Sequence, residues 1–204
     1  EKAGFKNALV VKIQPDDATW DAGDIRYNVL RWTSSPNPPF GGYGPSFVNP
    51  RTGQILGADI MLEWIYITKR IQQGELFEHT SLFLDEENPM DEHYCSASAL
   101  MQSNNLFAHS AVDAMELSQA SKETLIRESL RRLVLHEVGH TLGLNHNFKG
   151  SNLLTYEEIL NKDTTYEKGL CSSVMEYPSI NFSLEAENQG LYYDTIPGPY
   201  DHWA

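Results

Sequence analysis

The chain has 204 residues, 41% of them hydrophobic and 11% aromatic, which is enough for one packed core and unlike a disordered tail. Its 28 acidic residues against 15 basic leave a net charge of −13. An excess of this sign argues against nucleic acid or an anionic membrane as the main partner, because both would be repelled. No apolar run reaches the ~18 residues of a membrane span. The acidic surplus reads first as a solubilising surface. A calcium site at Asp85, Glu86 and Glu87 is a weaker reading, since their spacing matches no calcium loop. The start, Glu1 to Lys6, lacks a basic stretch followed by an apolar block, and the end at Ala204 carries no closing signal, so the chain is expected to be one module of a longer protein. There are two cysteines, Cys95 and Cys171. Paired, they would close a long loop and stabilise by about 4 kcal/mol. Two free buried thiols are an equal reading, because pairing depends on Cα separation.

In chain order, Phe5 to Ile13 is apolar and reads as a helix end running into a buried strand. Turn formers fill 16–23. Asp24 to Trp32 is rich in β-branched and aromatic residues and reads as a strand. The dense prolines and glycines of 34–53 mean a long structured loop or an edge segment with short strands. Gln54 to Ile60 reads as another strand, and Met61 to Gln73 as a helix. Residues 74–110 carry no clear pattern, although Ser96 to Met101 is small and apolar and suits tight packing. Ser121 then reads as an N-cap for the strongest helix, Lys122 to about Leu142, in which Leu125, Ile126, Leu130, Leu133, Val134 and Val138 recur at helical spacing with charged residues between them. Past residue 150 the pattern is loop-rich, with a short helix expected at Tyr156 to Leu160.

The chemistry concentrates in His136-Glu137-Val138-Gly139-His140-Thr141-Leu142-Gly143-Leu144-Asn145-His146. Two histidines four apart on a helix are separated by ~40° of net rotation and one turn of rise, so both imidazoles reach one ion. Glu137 projects beside that ion, where its carboxylate touches a metal-held water without taking a coordination position. Gly143 lets the chain leave the helix, since glycine accepts positive φ cheaply, and the turn returns His146 as a third ligand. Three neutral imidazoles leave a tetrahedral zinc one open position, the catalytic arrangement. Zinc brings the pKa of its water toward about 7. Glu137 then takes the water proton during attack on a carbonyl and passes it to the departing amine.

The eleven-residue stretch resembles the zinc signature of the metzincins. That family also carries a downstream methionine in a tight turn beneath the metal, and Ser172-Ser173-Val174-Met175-Glu176-Tyr177-Pro178 looks like that turn. The resemblance implies that Met175 is an apolar floor under the three histidines. It also implies that Tyr177 ligates zinc or stabilises the oxyanion, as a tyrosine at this place does in branches resembling astacins and serralysins; other branches lack it, and simple packing is the alternative reading. It covers 136–146 and 172–178 motif for motif. More loosely, Asp24 to Trp32, the 40–53 stretch and the segment from helix to Met-turn look similar to a little-characterised group of large bacterial metzincins. Asn147 departs from the residues that named branches have after the third histidine.

The resemblance implies an α/β (α+β), two-lobed fold with a twisted mixed sheet, a long active-site helix and a small loop-rich C-terminal lobe. The expected organisation is one catalytic domain over 1–204, with an N-terminal lobe to residue 146 and a C-terminal lobe over 147–204. The expected activity is zinc-dependent endopeptidase cleavage of a peptide or protein substrate, outside the cytoplasm, in the extracellular space or periplasm. The alternative is a module that keeps zinc and binds a protein or glycan without cutting it. A purely structural zinc site is weaker, because such sites have four protein ligands. His79, His93, His109 and His202 read as surface or core histidines. Gly41-Gly42-Tyr43-Gly44 leads into no helix and is no phosphate loop; residues 40–60 are instead expected to rim the cleft and pair with an extended substrate.

Overall fold

The computed structural model describes residues 4–35, 41–67 and 97–204. His79, His93, the acidic run 85–87 and Cys95 lie outside the described residues.

Among the described residues four strands form a mixed sheet: β1 (Val29–Thr33), β2 (Gly42–Tyr43), β3 (Ser46–Val48) and β4 (Ile55–Glu63). β4 organises it. β1 pairs with β4 in parallel, Val29 opposite Asp59 and Thr33 opposite Glu63. β2 and β3 run antiparallel to it, Gly42 opposite Leu62 and Ser46 opposite Ala58. Breakers on either side keep β2 and β3 short; Pro45, between them, has no amide to give to a ladder. Ile60 and Leu62 alternate onto the buried face of β4.

Three expectations change here. The helix expected from Met61 is absent at its start: β4 continues to Glu63, and a 3-10 turn follows at Trp64–Tyr66. Partners on both sides of Met61–Glu63 supply ladder bonds that outweigh local helix preference. The strand expected from Asp24 begins at Val29, because the Asp24 carboxylate accepts from the Arg26 amide and residues 24–27 close a turn. Phe5 to Ile13 is neither helix nor strand, and Val11 is 96% exposed; no described strand pairs with it.

Two long helices cover the buried face of the sheet, α1 (Ala97–Ala114) and α2 (Gln119–Thr141). The sequence reading saw only tight packing at the start of α1. Its buried residues Ala97, Met101, Asn105, Ala108 and Val112 do follow helical spacing, but small and polar residues dilute the pattern. α2 begins three residues before its expected start. Ser118, in extended conformation, is the N-cap, and Ser121 donates its amide to the Ser118 hydroxyl at 3.3 Å.

The core lies between β4 and these helices: Ile60, Leu62, Tyr66, Met101, Ala108, Leu125 and Leu133, closed by Tyr192 and Tyr193. Each fully buried leucine contributes roughly 1.5–3 kcal/mol. α2 also buries a polar column, Glu128, Arg132 and His136, at i, i+4 spacing and therefore on one face. The C-terminal stretch folds around that face. It holds α3 (Tyr156–Ile159), as expected, and two short helices that the loop-rich pattern concealed, α4 (Lys162–Lys168) and α5 (Pro199–Trp203). The mixed sheet and the long helix make the fold α+β, as anticipated.

Candidate metal centre

His136, Glu137 and His140 occupy the last two turns of α2. The helix ends because Gly143 adopts φ +90°, a region closed to most side chains, and the Leu144 amide folds back onto the Gly139 carbonyl at 3.0 Å. The chain then returns toward the helix, held by the Asn147 amide on the Met175 carbonyl at 3.0 Å. His146 is thereby brought opposite His140, their Nε2 atoms 3.0 Å apart.

One ligand nitrogen from each of His136, His140 and His146 lies within 4.8 Å of the other two. Tetrahedral nitrogen ligands at ~2.0–2.1 Å from zinc stand about 3.3 Å from one another, inside the observed 3.0–4.8 Å spread. Two tautomers are set by backbone carbonyls. His136 Nδ1 donates to the Val174 oxygen at 2.7 Å and His140 Nδ1 to the Leu144 oxygen at 3.1 Å. A carbonyl can only accept, so the proton sits on Nδ1 and Nε2 keeps its lone pair. Burial keeps all three rings neutral. It pushes His136 down to about 2, helped by the nearby Arg132 charge, and lowers His140 and His146 below the usual imidazole range. Neutral imidazoles are the form that binds zinc.

Glu137 is fully buried, and neither of its carboxylate oxygens accepts a hydrogen bond of ordinary geometry. Burial raises its pKa to about 7, partly opposed by the facing Gly44 amide. The strand segment lies this close only because it carries glycine: a Cβ on Gly42 would come within 2.9 Å of Glu137 Oε1, and one on Gly44 within 2.6 Å of the Glu137 carbonyl oxygen. An unpaired buried carboxylate costs several kcal/mol unless something else takes it up, so its position beside three neutral imidazoles fits a bound cation and water.

Met175 is 1% exposed and lies under the histidines, with Gly139 leaving room for its sulfur. The Tyr177 hydroxyl is 3.0 Å from His146 Nε2. Phe148 packs edge-on against the Tyr177 ring at 5.2 Å. A cleft of roughly 420 Å³ opens in front, walled on one side by Tyr43 to Ser46 and on the other by His140 and Leu144 to His146.

Every residue of the sequence-derived set is therefore found in one place, while His109 and His202 join no such cluster among the described residues. Cys171 is buried, and the Cys95 side of the pairing question lies outside the described residues. Sequence reasoning missed three supports. Arg132 donates to the Val174 and Glu176 carbonyls. Asp194 faces Arg132, and Asp201 accepts from the Ser173 hydroxyl at 2.6 Å and the Val174 amide at 2.8 Å. Arg132 is one of the charged residues between the apolar positions of the helix, and its spacing of four before His136 is the signal that it shares the buried face.

A long helix bearing His-Glu-x-x-His, a glycine turn that returns a third histidine and a buried methionine packed against Gly139 fit the zincin motif. Residues 118–204 match the family model described as Met-zincin, so this part of the chain, with its histidine cluster, carries the metzincin pattern that the motif suggested. No curated protein and no solved structure matches the chain.

Proposed function

We propose that the protein is a zinc-dependent endopeptidase, a single catalytic domain over 1–204 with one lobe up to residue 146 and a second over 147–204. The observation that carries this is the buried Glu137 carboxylate, without an ordinary protein hydrogen bond, beside three neutral imidazole nitrogens. His136, His140 and His146 would hold the zinc, which when bound supplies Lewis acidity to water and to the scissile carbonyl. Glu137 takes a proton from the attacking water at a carboxylate oxygen as hydroxide adds to the carbonyl carbon, and then delivers it to the amine nitrogen as the C–N bond breaks. The Tyr177 hydroxyl, at the edge of the histidine cluster, donates to the carbonyl oxygen as it gains charge. Met175 and the packed turn beneath hold the rings in place.

The β2–β3 segment supports an extended peptide. The Pro45 carbonyl accepts from the Asp59 amide at 3.2 Å, so the next residue, Ser46, turns its amide and carbonyl away from β4 and toward the cleft. Ser46→Pro removes that amide and is expected to raise KM for peptides with the circular dichroism unchanged; an unaltered KM would refute substrate pairing here. Among the described residues no helix is long and apolar enough to cross a membrane. Its substrates would lie outside the cytoplasm, in the extracellular space or periplasm, as the metzincin resemblance implies.

The test is metal content and cleavage of a broad peptide library, with and without chelator, for the wild type and Glu137→Gln. One zinc per chain in both, with cleavage lowered about 10²–10⁴-fold in the variant, is the expected result. Zinc without cleavage in either form would favour a non-cleaving binding module. No zinc after reconstitution would refute the metal centre.

A further inference from the structure

We propose that Arg132 is a positioning residue for the metal centre: a buried guanidinium, balanced by Asp194, that fixes the backbone carbonyl from which His136 is held. This rests on the zinc peptidase reading above. Arg132 lies one turn before His136 on the same face of α2 and is 1% exposed. Its Nη1 donates to the Val174 carbonyl and its Nη2 to the Glu176 carbonyl at 2.8 Å, on either side of Met175. Its Nε faces Asp194 Oδ2 at 3.8 Å, and Asp194 is anchored in turn by the amides of Leu170 at 2.5 Å and Cys171 at 3.3 Å.

The Val174 oxygen has two lone pairs and two donors, Arg132 Nη1 and His136 Nδ1. Both donors come from one helix, one turn apart. The carbonyl is thus held relative to α2 at two points, and it sets the His136 tautomer and ring rotation that aim Nε2 at the metal. Stability alone does not account for such a group. A buried ion pair is often matched or bettered by apolar residues of equal volume, whereas a planar fork that grips two carbonyls two residues apart cannot be replaced by an apolar side chain or by lysine. The role is indirect: Arg132 acts through Val174 and His136.

The experiment compares zinc affinity, by chelator competition, and the visible absorption of the cobalt-substituted protein in the wild type, Arg132→Lys, Asp194→Asn and Leu125→Ala. Leu125 is buried in the same helix, away from the Met-turn, and reports what loss of stability alone does. The expected result is a fall of about 10–100-fold in zinc affinity and a changed cobalt spectrum for Arg132→Lys, with wild-type values for Leu125→Ala. Should Arg132→Lys not fold, Asp194→Asn carries the test: it keeps an acceptor for the two amides, removes the balancing charge and is expected to weaken zinc several-fold. Wild-type affinity and spectrum in the folded Arg132 or Asp194 variant would overturn the inference, as would an equal loss in Leu125→Ala. If those results came with normal zinc uptake by the wild type, the peptidase reading would stand; a wild type without zinc would overturn both.

Discussion

Gly139 shows how far a single residue reaches in this site. It lies between the two helical histidines of the cluster, and its missing side chain is the space that the Met175 sulfur occupies. Gly139→Ala raises helix propensity by up to ~1 kcal/mol, but it forces overpacking against a methionine that is 1% exposed, at about 1–3 kcal/mol. The clash is the larger effect, so a lower urea midpoint is expected. An unchanged or higher midpoint would mean that Met175 moves aside freely. Gly143 acts differently: its demand is the backbone angle of +90°, since a Cβ there would make only ordinary contact with Ile55 at 3.8 Å, and it redirects the chain so that His146 can return.

Among the elements, β4 does two jobs. Its middle buries Ile60 and Leu62 in the core, and its end places Glu63, 1% exposed, as an anchor for the chain leaving β1. The Glu63 carboxylate accepts from the Thr33 hydroxyl at 2.7 Å and from the Ser35 hydroxyl and amide at 2.8 and 3.1 Å. Burial alone would raise its pKa, yet these three donors together leave it below the usual range. A carboxyl depressed in the folded state contributes stability that is complete above its unfolded pKa, near about 4.3, and is lost as pH falls through the lower folded value. The difference in unfolding free energy between wild type and Glu63→Gln should therefore be constant from pH 7 to about 5 and shrink on acidification. Urea titrations across that range test it; a difference that grew in acid would reverse the assignment. α2 works by a similar economy of position. One face of the helix carries Leu125 and Leu133 into the core, and the neighbouring column carries Arg132 and His136 to the Met-turn.

Across the whole molecule, the histidine cluster joins parts that are far apart in the chain: the end of α2, the return after Gly143 and the Met-turn with its supports from residues 194 and 201. A metal that binds only this assembled state stabilises it by mass action, about 4 kcal/mol at a free concentration 1,000 times Kd. For a chain of this size each kcal/mol moves Tm by roughly 2–4 °C. Zinc addition to the stripped protein is therefore expected to raise Tm by about 8–16 °C, reversed by chelator. A Tm indifferent to zinc would show that the three rings do not close on a common ion.

The donor set was legible because it is local. Helix periodicity puts residues 136 and 140 on one face, and a glycine at 143 followed by a histidine at 146 needs only a short return. Short-range patterns also revealed the core strand of β4 and most of α2, and the short strands β2 and β3 match one of the two readings of 34–53. Contacts between remote segments decided the rest. Nothing in the sequence near Arg132 announces Val174, 42 positions away, or the Asp194 that balances its charge. Met61 to Glu63 would suit a helix if taken alone, and they became strand because β1 and β2 flank them. Phe5 to Ile13 looked buried by composition, yet composition cannot supply a partner. Periodicity acts over one or two turns of chain, while burial, tautomer and strand pairing are settled by whichever segment arrives alongside.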